Sequence, residues 1–471
     1  MSAIVLKDFA KLCRPYQDQG TTFLYEHDEA LLLLRMGGGK TVITLSAITE
    51  LLMAECISTV LIVAPLAVCN NTWQDEHLRW LHTRHLDVGV ATGSMRQRKQ
   101  VFDANHTITI VNYDCLQWMV NHYPNRSWDL IVLDEVTRFK NPSGKRYRAF
   151  RPILERAAMR WGLTGSLAAD NLEDIFNPVR AIDRGAALGK FIGPFRTEYF
   201  TKATFGYDMI PGSAPKVAGK IAHLCYQPDQ NVYQSQLPEI VVQQHTFELS
   251  EACDLVYDDL CTEFVAEVDD TVVDVASAGV LVNKLQQISS GFLYDEDGAQ
   301  MYVDFDRLYL LQELLAQAGS EPVLIWYWFE ATGELLREHG YVDLLPNLDR
   351  WNRGEIPVAI AHPRSGGHGV NAQAGGSRMI WYEHTWSAEE RQQAIARLHR
   401  QGQQNTVYVH DICGERDGFA AIDASLLDAQ DKKEGVARAV YRKLVEPQTA
   451  GGLSKDSGTT INHPSPSEVS R

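Results

Sequence analysis

Short aliphatic runs alternate with longer amphipathic stretches in two separate parts of the chain. In the first part, ALLLL (Ala30–Leu34), VLIVAPL (Val60–Leu66), ITIVNY (Ile108–Tyr113) and LIVLDE (Leu130–Glu135) are continuously apolar. Runs this short and this rich in Val and Ile read as strands buried on both faces, as in a parallel sheet. TVITLSAITELLMAE (Thr41–Glu55) reads as a helix between two of them. This alternation predicts an α/β fold with a doubly wound parallel sheet. The texture returns in VLIWYWF (Val323–Phe329), VAIAH (Val358–His362), RMIWYEH (Arg378–His384) and TVYVHDI (Thr406–Ile412), with amphipathic RLYLLQELLAQAG and SAEERQQAIARLHRQ among them. A second lobe of the same class is therefore expected.

The expected organisation is a first lobe over 1–185, a mainly helical insertion over 186–300, a second lobe over 301–445 and a disordered tail over 446–471. Within the insertion, Glu251–Asp274 holds nine acids and no Lys or Arg, with Tyr257, Leu260, Phe264 and Val268 at helical spacing. It reads as a solvated acidic helix turned away from any polyanion. The tail is mostly Ser, Thr, Gly and Pro without apolar periodicity.

Composition narrows the class. The chain has 471 residues, 45% hydrophobic and 22% charged, with 44 Lys+Arg against 60 Asp+Glu and a net charge of −16. Nucleic-acid binding through overall charge is excluded, which leaves a local basic surface. The eight cysteines (Cys13, Cys56, Cys69, Cys115, Cys225, Cys253, Cys261, Cys413) form no C-x-x-C pair, against both a zinc ribbon and a disulfide framework. No run approaches the length of a membrane span, and MSAIVLKDFAKLCR lacks a signal-peptide core. A soluble cytoplasmic protein is expected, with no membrane partner.

Three constellations carry chemistry. The strand at Ala30–Leu34 runs into RMGGGKT (Arg35–Thr41), which opens a helix. Gly37, Gly38 and Gly39 let backbone N–H groups cradle phosphate oxygens, and the helix N-terminus adds its dipole. Lys40 would reach the β- and γ-phosphates and the Thr41 hydroxyl would ligate Mg²⁺. Leu34 stands where the longer phosphate-loop pattern has its first glycine, but the shorter G-x-G-K-T is present. Asp134 and Glu135 end a strand, where open α/β sheets bind ligands. Asp134 would hold Mg²⁺ through water, and Glu135 would orient and deprotonate the attacking water. Gln393, Arg397 and Arg400 in QQAIARLHRQGQ are spaced to share one helical face, and arginines outside the loop can stabilise a γ-phosphate in the transition state.

In order along the chain, these segments resemble the motif set of superfamily 2 helicases of the Swi/Snf-related branch. RPYQDQG (Arg14–Gly20) resembles the Q motif, making Gln17 the adenine reader. MGGGKT resembles motif I, LIVAPLAVCNNTWQDEHLRW (Leu61–Trp80) motif Ia, VLDEVTRFKN (Val132–Asn141) motif II and LTGSLAADNLEDIF (Leu163–Phe176) motif III. VLIWYWF resembles motif IV, RSGGHGVNAQAGGSRMIWYEHTWS (Arg364–Ser387) motif V and QQAIARLHRQGQ motif VI. LPEIVVQQHTFELSEACDLVYDDL (Leu237–Leu260) resembles the family's entry into the second lobe. Thr137 stands where the branch usually has a histidine, Leu33 replaces a small residue, and HLCYQPDQNVYQSQLPEI lacks the family's paired arginines.

The resemblance implies two RecA-like lobes and ATP with Mg²⁺ as cofactors. It implies a catalytic set of Lys40, Glu135, Gln393, Arg397 and Arg400, and coupling through Thr164, Gly165 and Ser166. The implied partner is DNA, whether duplex, forked or branched; a monomeric motor is expected because no oligomerisation segment is visible in the sequence. Between Arg126 and Arg160, nine cations (Arg126, Arg138, Lys140, Lys145, Arg146, Arg148, Arg151, Arg156, Arg160) face four carboxylates (Asp129, Asp134, Glu135, Glu155). This reads as a phosphate-tracking surface containing Lys140 and Asn141. Motif V would add Ser365, Gly366 and Gly367. The implied activity is an ATP-dependent DNA helicase or double-stranded DNA translocase. The alternatives are a nucleotide-gated binding switch without movement and an RNA helicase, the latter disfavoured by the wording of motifs II and VI.

Overall fold

The computed structural model describes residues 8–35, 37–66, 68–167, 171–203, 206–228, 237–270, 275–295, 297–366, 370–400, 402–416 and 418–445. The chain divides into two compact units, Met1–Tyr233 with Gly435–Arg471, and Gln234–Glu434. No helix among the described residues is long and apolar enough to cross a membrane.

Unit 1 is built on strands β1 (Glu29–Leu33), β2 (Val60–Ala64), β3 (Val88–Ala91), β4 (Ile108–Asn112), β5 (Leu130–Asp134), β6 (Met159–Thr164) and β9 (Cys225–Tyr226), with a separate hairpin of β7 (Phe200–Lys202) and β8 (Tyr207–Met209). The sheet order is β3-β4-β2-β5-β6-β1-β9, and every pairing is parallel. β2, β4 and β5 are buried at every position, as their unbroken apolar runs require. Each such aliphatic side chain contributes about 1.5–3 kcal/mol.

β6 carries no such run, because MRWGLT places an arginine and a glycine in the middle of the sheet. The arginine is accommodated by full satisfaction. Arg160 pairs with Glu29 and donates to the carbonyls of Ile182 and Ala157, both at 2.6 Å. Its place in the expected basic surface is therefore corrected, since the side chain is wholly buried. Gly162 is required by packing, because a Cβ there would sit 2.7 Å from Leu31 Cδ2.

Unit 2 contains β10 (Ile240–Glu248), the hairpin of β11 (Phe292–Tyr294) and β12 (Gln300–Tyr302), then β13 (Val323–Trp326), β14 (Val342–Asp343), β15 (Val358–Ala361), β16 (Arg378–Trp381), β17 (Val407–Arg416) and β18 (Phe419–Ala420). The order is β10-β17-β16-β13-β15-β14, all parallel, with β18 antiparallel on β17. Trp326 and Trp381 stack 5.8 Å apart in its core.

The stretch 186–300 carries the helices Ile192–Tyr199, Ser213–Ile221, Glu251–Asp270 and Val275–Ser289, with short strands between them. It supplies the hairpin of β7 and β8, and β9 and β10 are edge strands of the two large sheets. β10 is mostly exposed, so its apolar residues follow no buried-strand pattern. The acidic segment is a helix over Glu251–Asp270, with Tyr257 buried and Asp254 and Asp258 both receiving Arg416. The side chains of Phe264 and Val268, and the tail 446–471, lie outside the described residues.

Candidate nucleotide site

In unit 1, β1, β6 and β5 are consecutive across the sheet, so the loops leaving their carboxyl ends are neighbours. The first is the glycine loop, the second begins at Thr164, and the third is Asp134–Glu135. Pairing fixes the alignment, with Leu33 opposite Thr164 and Asp134 opposite Leu163.

Gly37 and Gly39 take positive φ, 79° and 87°, which glycine adopts without strain, and the helix Lys40–Met53 starts at once. Gly38 N–H donates to Arg35 O at 3.0 Å. Lys40 Nζ donates to Leu34 O at 2.9 Å, so the lysine spans the loop it would share with a phosphate. Thr41 is half-buried on the first turn. Gln17 sits at the start of the helix Pro15–Glu26. Its Oε1 accepts from Arg14 N at 3.0 Å, and its Nε2 donates to Gly38 O at 3.4 Å. Tyr16 Oη donates to the same carbonyl at 3.2 Å. The Q-motif helix and the glycine loop are thus joined directly.

Asp134 and Glu135 are both buried. Burial and the Glu135 carboxylate beside it push Asp134 above the usual carboxylate range, while Lys40 and an indole N–H pull the other way. The indole is that of Trp73, with Nε1 2.8 Å from Asp134 Oδ2. Tyr113 Oη donates to the carbonyls of Asp134 (2.8 Å) and Glu135 (3.2 Å). Glu135 has φ of 55°, a left-handed conformation that costs a non-glycine residue of order 1–2 kcal/mol and clusters at functional sites. Thr164 Oγ1 reaches Glu135 Oε2 at 3.4 Å and donates to Ser166 O at 3.0 Å. Motifs II and III therefore meet through Thr164, with Gly165 following it, while Thr137 is buried one turn on. Sequence reasoning missed Trp73 and Tyr113 as neighbours of the carboxylates. Tyr113 directly follows β4, while Trp73 lies well beyond the end of β2, so neither position marks its contact in the sequence.

The donor set fits a magnesium nucleotide. It offers hard oxygens from Asp134 and Thr41 beside a loop whose Gly39, at φ 87°, holds a conformation that favours glycine. Among the described residues, no group of three or more His, Cys, Asp or Glu could hold a metal alone.

The expected basic surface contracts in the structure. Arg126 donates to Phe102 O at 2.5 Å and Asn105 Oδ1 at 2.8 Å, and Arg156 donates to Pro124 O at 2.7 Å. Arg146 pairs with Asp114 and Arg151 with Glu155. Lys140 is exposed and 3.4 Å from Asp174, while Asn141 Oδ1 accepts from Ser143 N–H and Oγ–H. Lys145 and Arg148 are exposed on the helix Lys145–Leu154, whose opposite face buries Tyr147 and Phe150.

In unit 2, Ser365 is exposed and its Oγ donates to His362 O at 3.1 Å. Gly366 ends the short helix Pro363–Gly366, and Gly367 lies outside the described residues. The single helical face expected for Gln393, Arg397 and Arg400 is corrected. The helix ends at Ile395, and Ala396 closes it with N–H bonds to Ala394 and Gln392. Both arginines lie in the following turns and converge on one acceptor, Val370 O, at 3.1 Å from Arg397 and 3.3 Å from Arg400. Gln393 Nε2 donates to Glu389 at 3.0 Å.

A profile of the SNF2-related domain matches residues 16–286. "Putative protein p41" of Acyrthosiphon pisum secondary endosymbiont phage 1 is 28% identical over 468 residues, covering 89% of this chain and 99% of that protein. The "CHD3-type chromatin-remodeling factor CHR7" of Arabidopsis thaliana is 23% identical, over 84% of this chain and 35% of its own length. The human "DNA repair and recombination protein RAD54-like" is 21% identical, over 92% and 66%. The chain thus spans nearly all of the phage relative but a third to two thirds of these longer ones. The solved "Sulfolobus solfataricus SWI2/SNF2 ATPase core in complex with dsDNA" shares 17% identity at a TM-score of 0.43, over 92% of this chain and 97% of that one. Since the profile covers more than half of the sequence, the chain belongs to the SNF2-related family.

Proposed function

We propose that this protein is an ATP hydrolase driven by DNA, a translocase or helicase that couples nucleotide turnover to movement on double-stranded DNA. The observation that carries the reading is the convergence of glycine loop, carboxylate pair and Thr164 at the carboxyl ends of three adjacent strands, in a chain of the SNF2-related family. The human relative named for DNA repair and recombination and the plant relative named for chromatin remodelling favour DNA over RNA.

In this reading Gln17 reads the base, the N–H groups of Gly37–Gly39 and Lys40 Nζ hold the phosphates, and Thr41 and Asp134 hold Mg²⁺. The ion, when bound, shields the phosphate charge. Lys40 exchanges its bond to Leu34 O for phosphate oxygen. Glu135 orients the attacking water and accepts its proton, with the Thr164 hydroxyl 3.4 Å from its carboxylate. Gln393, Arg397 and Arg400 are the proposed catalytic groups of unit 2. Lys140, Asn141, Ser365, Gly366 and Gly367 are the proposed DNA contacts, with Lys145 and Arg148 as further phosphate cations, so binding should weaken steeply with salt.

The test is steady-state ATP hydrolysis at low salt without nucleic acid and with duplex DNA, single-stranded DNA, forked DNA or RNA. Duplex or forked DNA is expected to stimulate most. Lys40→Ala and Glu135→Gln should each lower turnover by about 10²-fold or more. Full activity in either variant overturns the assignment. Displacement of a triplex strand with ATP then separates a motor from a binding switch.

A further inference from the structure

Two aromatic side chains outside the assigned set converge on the carboxylate pair. Trp73 closes a π-helical turn, Val68–Trp73, that follows β2. β2 pairs directly with β5, so this turn leaves the sheet beside the strand that ends at Asp134. Such wide turns are rare and recur at functional sites. The turn is anchored by the N–H groups of Val68 and Cys69 on Pro65 O, both at 2.9 Å. Trp73 is fully buried, and its indole N–H meets Asp134 Oδ2 at 2.8 Å. From β4, the neighbour of β2 on its other side, Tyr113 Oη holds the carbonyls of Asp134 and Glu135.

An indole N–H can donate but not accept, so its partner must be an acceptor. A buried donor without one would incur a desolvation cost, and the same holds for the carboxylate oxygen. The bond therefore fixes the rotamer of Asp134 and occupies one lone pair of Oδ2 before any ligand arrives. Tyr113 does the equivalent for the backbone at Glu135, whose left-handed φ needs an external hold.

We propose that Trp73 is a positioning residue for Asp134, and that its indole N–H presets the carboxylate for the magnesium ion of a bound nucleotide. The proposal rests on the reading of Asp134 as a magnesium ligand given above. Preorganisation of this kind lowers the cost of ordering a ligand at the moment of binding.

The test is calorimetric titration of ADP into the full chain, in EDTA and across a series of Mg²⁺ concentrations. Trp73→Phe keeps an aromatic ring and removes the N–H. It should bind ADP as the parent does in EDTA, while its apparent Mg²⁺ constant rises about five- to tenfold. In an Asp134→Ala background, Trp73→Phe should change the Mg²⁺ constant no further, because the partner is gone. If Trp73→Phe fails to fold by circular dichroism, 3-benzothienylalanine at position 73, with sulfur in place of N–H, is the variant read. A parent-like Mg²⁺ response in the folded variant overturns the proposal, as does a further shift in the Asp134→Ala background. Those results leave the nucleotide reading intact, whereas a parent chain that binds no ADP at any Mg²⁺ concentration overturns both.

Discussion

Tyr226 Oη donates to the main-chain oxygen of Tyr16 at 2.6 Å, which ties the last strand of unit 1 to the helix that carries Gln17. The same hydroxyl lies 3.3 Å from Gln19 Oε1, and the Tyr226 ring fills the space over Gly20, where a Cβ would meet it at 3.1 Å. Tyr16 in turn reaches the glycine loop through Gly38 O. A continuous path thus runs from β9 through the helix Pro15–Glu26 to the glycine loop.

Removing the Tyr226 hydroxyl tests that path. Tyr226→Phe keeps the ring and deletes the donor, a loss of about 1 kcal/mol for a half-buried neutral hydrogen bond. We expect ATP affinity to fall roughly fivefold, with turnover at saturating ATP little changed. Titration of ATP against hydrolysis rate separates the two effects. A change confined to saturating turnover would contradict the path.

Gly39 is sensitive for two reasons. Its φ of 87° strains any residue with a Cβ, by about 1 kcal/mol. A methyl there also displaces Gln17 Nε2 from its place near Gly38 O. Gly39→Ala is expected to lower nucleotide affinity by more than the strain alone implies, with a melting temperature only a few degrees below the parent. Nucleotide titration combined with a melting curve checks both parts.

Features set by local sequence were legible before the structure. The glycine loop, the strand ending in Asp134 and Glu135, and the unbroken apolar runs each declare themselves within about ten residues. What was missed depends on distant partners. Arg160 counts as a surface cation in sequence but is buried because Glu29 and two carbonyls receive it. Trp73 lies 2.8 Å from Asp134 but is remote from it in sequence. β9 is two residues long and β10 is a largely exposed edge, so neither carries an apolar pattern to read. Arg397 leaves the helix because Ala396 caps it, a stop that no glycine or proline announces.

Asp129 gives unit 1 a pH dependence. Its Oδ2 accepts from Ser58 N (2.8 Å), Ser58 Oγ (2.8 Å), Thr59 N (2.9 Å) and Thr59 Oγ1 (3.1 Å), joining the approaches to β2 and β5. Partial burial raises its pKa, but these donors outweigh it and hold the carboxyl below its ordinary value. A depressed folded pKa means stability that is present above the unfolded pKa, about 3.9, and lost as pH falls through the folded value. Asp129→Ala should therefore cost about 1 kcal/mol at pH 7, after discounting for solvent screening, and progressively less below pH of about 4. Chemical denaturation of both proteins at the two pH values measures it, and an equal cost at both would contradict the assignment.

The strongest prediction for unit 2 concerns Arg307 and Asp423, a fully buried ion pair. Arg307 lies on the helix Asp306–Ala318. Besides the carboxylate it donates to Tyr382 O, to Ser289 O at 3.1 Å and to Ile412 O at 3.4 Å. Asp423, at the start of the helix Ile422–Val445, also accepts from Gly414 N–H at 3.0 Å. Removing one member leaves the other charged and unpaired in a site that excludes water, a cost of about 3–5 kcal/mol. Arg307→Met should therefore destabilise unit 2 by that order. The double variant Arg307→Met with Asp423→Leu should recover part of the loss, since no charge remains to be desolvated. Urea unfolding followed by tryptophan fluorescence reads the outcome through buried Trp326, Trp351 and Trp381. A single variant as stable as the parent, or a double variant worse than the sum of the two singles, would show that the pair does not hold these helices to the sheet.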